Sequence, residues 1–122
     1  MHIAKDLVAA STTPLVLGIL ADGESYGYAL LKQVSELSGG HLEWTDGLLY
    51  PLLHRLERVG HVESVWRQPA SGRKRKYYRI TEQGRAELAE QHRQWSAIVD
   101  TLSNVWQDSF TVTPLRPAME GA

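Results

Sequence analysis

Arg73, Lys74, Arg75 and Lys76 stand consecutively in the stretch SGRKRKYYRIT, Ser71 to Thr81, and Tyr77, Tyr78 and Ile80 follow at once. Four adjacent cations offer a dense set of charge-assisted donors, whose complement is a polyanion such as a row of phosphates. The aromatic and branched residues behind them argue against a disordered basic tail, because they need a surface to bury on. Net charge over the whole chain is −1. Between Arg55 and Arg85, however, nine basic residues stand against three acidic ones, a local +6 that leaves −7 for the remainder. Such polarity turns one positive surface toward an anionic partner and leaves the acidic parts to water or to another protein.

Other chemistries find little support. His2, His41, His54, His61 and His92 form no metal-ligand pair of the HExxH kind, and neither G-x-S-x-G nor a phosphate-cradling glycine loop occurs. The absence of cysteine removes disulfides, thiolate catalysis and Cys-ligated zinc. No enzyme, cofactor or metal site is therefore expected. One metal arrangement stays open as an alternative, a metal-responsive regulator in which His92 shares a site with a carboxylate of a second copy. The longest apolar run, PLVLGIL, is too short to span a bilayer, and MHIAKDLVAAS lacks the pattern of a secretory signal. A cytoplasmic protein without membrane contact is expected.

The basic stretch needs elements that position it. At 122 residues, 43% of them hydrophobic, the chain suits one domain with a real core, which a second copy could extend. A first helix is expected from a Thr13 cap with Pro14 in its first position to Asp22-Gly23. The preceding IAKDLVAA forms either a short arm or the start of one longer helix kinked at Pro14. A second helix is expected from Ser25 to Gly39-Gly40 with Tyr28, Leu31, Val34 and Leu37 as its apolar face. A third, capped by Thr45, runs to Gly60. It buries Leu49, Leu52, Leu53, Leu56 and Val59 and turns Gly47, Pro51, His54, Arg55 and Arg58 the other way. Pro51, inside this helix, points to an irregular first turn. HVESVWR and RKYYRIT, parted by QPASGRK, read as a β-hairpin with GRKRK at its tip and Tyr78 and Ile80 anchoring its base. From Thr81 a final helix extends to about Phe110, followed by a loose tail.

In that last helix Leu88, His92, Trp95, Val99, Leu102 and Trp106 are spaced 4, 3, 4, 3, 4, a heptad seam that Ile98 and Val105 widen. Roughly 30 residues reach about 45 Å, more than a domain of this size can cover, so the seam is expected to join a homodimer. Three helices followed by a hairpin give the order of a winged helix-turn-helix. The expected fold class is mainly α (α+β): a winged helix-turn-helix with its helical arm over residues 1–81, a long C-terminal dimerisation helix over 82–110 and a flexible tail over 111–122. In that fold the third helix enters the major groove of double-stranded DNA and the wing lies on flanking backbone or minor groove. Tyr50 is then a phosphate or base contact, His54 and Arg55 reach toward base edges, and Arg73, Lys74, Arg75 and Lys76 meet phosphates. Trp95, bulky for a seam position, either fills the interface or pairs with its copy to leave a slot for planar aromatic or cationic compounds.

Three segments, YGYALLKQV (26–34), GLLYPLLHRLERVGHV (47–62) and GRKRKYYRITEQG (72–84), resemble in order and spacing the signature segments of the PadR family of bacterial transcriptional regulators. The resemblance spans about residues 14–110, and the short length with one C-terminal helix is similar to the smaller PadR subfamily. It implies a dimeric winged-helix repressor of a subfamily that includes multidrug-responsive members, and dimer symmetry then demands an inverted repeat as its operator. Leu48 stands where the family usually has a small hydroxyl residue that meets phosphate, a role that then falls to Thr45 or Tyr50. In multidrug-responsive members a tryptophan followed by serine, like Trp95-Ser96 here, lines a ligand pore at the dimer interface. Val8, Leu15, Ile98 and Val99 are candidates for the same cavity, and Asp100 for a counter-charge. A winged-helix module whose basic tip binds an acidic protein is the remaining alternative.

Overall fold

The computed structural model describes residues 1–107. In chain order it comprises α1 (Lys5–Ala21), β1 (Ser25–Tyr26), α2 (Gly27–Leu37), α3 (Asp46–Arg58), β2 (Val62–Arg67), β3 (Arg75–Ile80) and α4 (Glu82–Trp106). Met1–Ala89 forms one compact unit, and α4 from Glu90 onward belongs to a second. The expectations for residues 108–110 and for the 111–122 tail lie outside the described residues.

In the first unit α1, α2 and α3 close over a three-stranded antiparallel sheet of order β1-β3-β2. The core joins Val16, Leu17 and Leu20 of α1, Leu30 and Val34 of α2, Leu49, Leu52, Leu53 and Leu56 of α3, Val62, Tyr78 and Trp44. Because strand side chains alternate, the register Val62↔Ile80, Ser64↔Tyr78, Trp66↔Lys76 lines one face of the hairpin, with Tyr78 and Ile80 seated on the core.

Several expectations need correction. Thr13 is no cap: of the two arrangements expected for the N-terminal stretch, the structure takes the single longer helix, with Pro14 inside it. A proline removes one intrahelical bond, but Thr12 before it and Val16, Leu17 and Leu20 after it are all buried, so packing carries the helix through. Ser25 does not begin α2; Ser25 and Tyr26 pair with Tyr78 and Tyr77 as a short strand. The buried face of α2 is Gly27, Leu30 and Val34, while Tyr28 and Leu37 are 69% and 72% exposed. At 100° per residue, four positions three apart fan over half the circumference and cannot share a face. Val59 is 51% exposed, since α3 ends at Arg58 and leaves it on the C-cap. Arg75 and Lys76 are the first residues of β3 and half-buried, so the solvated tip comprises residues 68–74.

Glycines mark the tight places. Gly39 and Gly40 end α2 at φ 64° and 86°, and the Gly40 N–H returns to the Ser35 carbonyl at 2.8 Å, a left-handed stop that side chains resist. At the start of α4, Thr81 Oγ1 accepts the Gly84 N–H at 3.0 Å and donates to the Gly60 carbonyl at 2.6 Å, which fixes the helix to the turn before β2.

Candidate nucleic-acid interface

Helix α3 begins as its sequence requires. Thr45 is extended, and its Oγ1 accepts the Leu48 N–H at 3.3 Å. With the leucines turned inward, Gly47, Tyr50, Pro51, His54, Arg55 and Arg58 make the exposed face, and the helix runs unbroken past Pro51. Tyr50 has a further neighbour. A Cβ placed on Gly27 would stand 2.0 Å from the Tyr50 hydroxyl oxygen, so any larger residue there displaces the phenol from this position. Tyr50 is thus held against the first residue of α2, where helical N–H groups lack intrahelical partners.

The hairpin divides the four consecutive cations. Arg73 and Lys74 stand exposed in the tip, and Lys74 Nζ lies 5.7 Å from the centre of the Trp66 ring. Arg75 turns to one sheet face, where its guanidinium sits 4.5 Å over Tyr26, itself edge-on to Tyr77 at 5.2 Å. Lys76 turns to the other, 5.5 Å over Tyr78 and 3.8 Å from Glu57 of α3. Other local pairs consume further charge. Glu24 binds both Nε and Nη2 of Arg67, the latter at 2.9 Å, and Glu63 accepts from Arg79 at 2.7 Å. The hydrogen bond from Arg67 holds the Glu24 carboxyl below the usual carboxylate range, and the same contact raises Arg67. With Arg67, Lys76 and Arg79 each set against a carboxylate, the local surplus falls on α3 and the hairpin tip.

Between these elements opens a groove of about 800 Å³, lined by Tyr26, Gly27, Tyr28, Tyr50, His54, Trp66, Arg73, Lys74, Arg75, Lys76 and Tyr78. One wall is the exposed face of α3 with the start of α2; the other is the hairpin. Cations at the rim, phenols within and a 58% exposed indole suit the alternating charge and apolar sugar of a nucleic-acid strand. Of the residues expected from sequence, Tyr50, His54 and the four basic residues meet here. Thr45 serves as the α3 cap, and Arg55 lies on the exposed face of α3 outside the groove lining. Gly27, Tyr26 and Trp66 were not anticipated; the alternation of Val62, Ser64 and Trp66 along β2 was the available signal for the last.

Burial pushes the Tyr78 phenol above its ordinary pKa of 10.0, against the pull of the Lys76 ammonium. The fold favours the neutral phenol, so its contribution to stability is whole below pH 10 and is lost as pH rises through the raised value. In urea unfolding between pH 8 and 11, the parent chain is expected to lose stability relative to Tyr78→Phe at the alkaline end. Parallel curves would contradict the assignment.

In the second unit Trp95, Val99 and Leu102 are half-buried, whereas His92, Ile98, Val105 and Trp106 are exposed. Glu90 is held below the usual carboxylate range, first by the hydrogen bond from Gln94 at 2.8 Å and then by Arg93. Leu88 lies in the first unit, against the core, as do Val8 and Leu15.

A helix presented beside a two-stranded basic wing on a three-helix core defines a winged-helix DNA-binding protein. The profile of the transcriptional regulator PadR-like family matches residues 16–90, and the chain belongs to that family. It is a DNA-binding transcriptional regulator and not an enzyme. A transcriptional regulator of Mycobacterium tuberculosis is 45% identical over 78 residues, 64% of this chain and 69% of that one. Among solved structures, a PadR-like transcriptional regulator from Bacillus cereus is 28% identical with a TM-score of 0.75, over 84% of this chain and 98% of its own. A PadR family regulator from Eggerthella lenta is 33% identical with a TM-score of 0.72, over 84% and 88%. No helix among the described residues is long and apolar enough to cross a membrane.

Proposed function

We propose that the protein is a cytoplasmic, homodimeric repressor that binds an inverted repeat, each subunit setting α3 in one major groove and its wing on the adjacent backbone. The groove shared by Tyr50, His54 and the hairpin tip carries this reading, because it sets base-reading and phosphate-binding groups side by side. His54 and Arg55 read base edges; Arg73 and Lys74 supply phosphate contacts, and Tyr50 positions the strand against the start of α2. Residues 1–81 act as the DNA-binding domain and the helix from Glu82 as the dimerisation element.

Dimerisation through α4 is supported by the seam of Trp95, Val99 and Leu102 and by the exposed Ile98 and Val105 beside it. Two-fold symmetry then demands two half-sites. Changing both Val99 and Leu102 to Glu is expected to give monomers in light scattering and to abolish the advantage of a duplex with two half-sites over one with a single half-site. A dimer that persists would move the interface elsewhere.

Paired Trp95 side chains give a planar aromatic or cationic effector a stacking surface, with Ile98 and Val99 as apolar neighbours on the same helix. Such an effector induces expression only by binding the DNA-free protein more tightly than the DNA-bound form. A compound that quenches Trp95 fluorescence without changing operator affinity would end this part of the reading.

A further inference from the structure

The last turn of α3 carries an acidic residue that touches both wing strands. Ser64 Oγ of β2 donates to Glu57 Oε2 at 2.6 Å, and Lys76 Nζ of β3 lies 3.8 Å from Glu57 Oε1. Ser64 is paired with Tyr78 across the hairpin, and Lys76 sits over the Tyr78 ring, so the three contacts close a small circuit above the one aromatic residue that seats the wing in the core. A surface ion pair at this distance contributes little by itself. What distinguishes Glu57 is that the Ser64 hydroxyl fixes its carboxylate, which removes much of the side-chain freedom that usually weakens such pairs. It is also an acidic group bonded to a cation that lines the DNA-facing groove, where a carboxylate would otherwise repel phosphate.

We infer that Glu57 is a positioning residue with two effects: it sets the angle of the wing against the recognition helix, and it holds Lys76 back from the phosphate backbone. The inference rests on the DNA-binding reading of the groove. Its consequence concerns specificity. A lysine free to follow any phosphate adds affinity for every sequence, whereas a lysine held by Glu57 adds none and keeps the wing in the single orientation that α3 requires. The protein thereby gives up non-specific affinity in exchange for discrimination.

The test uses the full chain and two duplexes, one carrying the operator and one of shuffled sequence, across a salt series. Glu57→Ala is expected to tighten binding to the shuffled duplex and to steepen the slope of log affinity against log salt by about 0.9 per subunit, close to 2 for a dimer. The preference for the operator should fall roughly tenfold, the order lost with one poorly matched contact. Glu57→Gln, which removes the charge but keeps an acceptor for Ser64, is expected to steepen the slope equally with a smaller loss of preference; it also serves if the alanine variant is unstable. Lys76→Met in the Glu57→Gln background keeps the alkyl stem over Tyr78 and leaves no carboxylate unpaired, so it should return the slope to that of the unaltered chain. A double variant with a flatter slope than the unaltered chain, or an unchanged slope for both Glu57 variants, would overturn the inference while leaving the DNA reading intact. Failure of the unaltered chain to prefer the operator would instead remove that reading, and the inference with it.

Discussion

Replacing Arg73 and Lys74 together with alanine is expected to lower affinity for operator and shuffled duplex alike, on the order of 100-fold at low salt, and to leave preference between them nearly intact. The two residues stand exposed at the hairpin tip, beyond the paired part of the sheet, and their loss removes four charges from a dimer. The slope of log affinity against log salt should therefore become shallower by between 3 and 4. Anisotropy titrations at four or more salt concentrations measure both quantities. An unchanged slope would take the tip out of the interface. The contrast with His54→Ala is informative, since a base-facing residue should change preference with little effect on the slope.

The largest effect on folding is expected at Gly84. It is buried in the first turn of α4, and a Cβ there would stand 2.0 Å from the His61 carbonyl oxygen and 2.8 Å from Ile80 Cγ1. The first of these is backbone and cannot rotate away. Gly84→Ala must lift the start of α4 off the base of the hairpin, where the Thr81 N–H reaches the same His61 carbonyl at 3.1 Å. A cost of about 3 kcal/mol follows from overpacking of this kind, a fall in Tm of roughly 10 °C or more for a chain of this length. Gly47→Ala provides the control. Its Cβ would meet only Thr45 Oγ1, at 3.7 Å, on the exposed face of α3, so helix propensity alone predicts a slight gain. Equal melting temperatures for the two variants would contradict the packing described for α4.

The order of elements was legible because the signals were local. The leucines of α3 recur at helical spacing behind a threonine cap, and the two strand segments alternate on either side of a proline- and glycine-containing turn; both recur in the structure with nearly the anticipated limits. What the sequence hid depends on partners distant along the chain. Ser25 and Tyr26 look like the start of a helix and become a strand only because β3 offers an open edge. Gly27 carries no local signal at all, and the space it leaves is filled by the phenol of Tyr50, 23 positions on. Likewise, charge counting saw four equivalent cations from Arg73 to Lys76, whereas strand alternation and the carboxylate of Glu57 give them different surroundings. Leu88 was read as the first residue of the heptad seam, yet it packs on the core of the first unit.

The central claim is that α3 and the wing together recognise a specific duplex. Its most direct test is fluorescence anisotropy of the unaltered protein on the duplex upstream of its own gene, against a shuffled duplex, over a salt series. Binding at least 1,000-fold tighter to the native duplex at moderate salt, with steep salt dependence on both, is expected of a sequence-specific winged-helix dimer. Equal, weak and salt-insensitive binding to the two duplexes would contradict it and turn attention to an acidic protein as the partner of the wing.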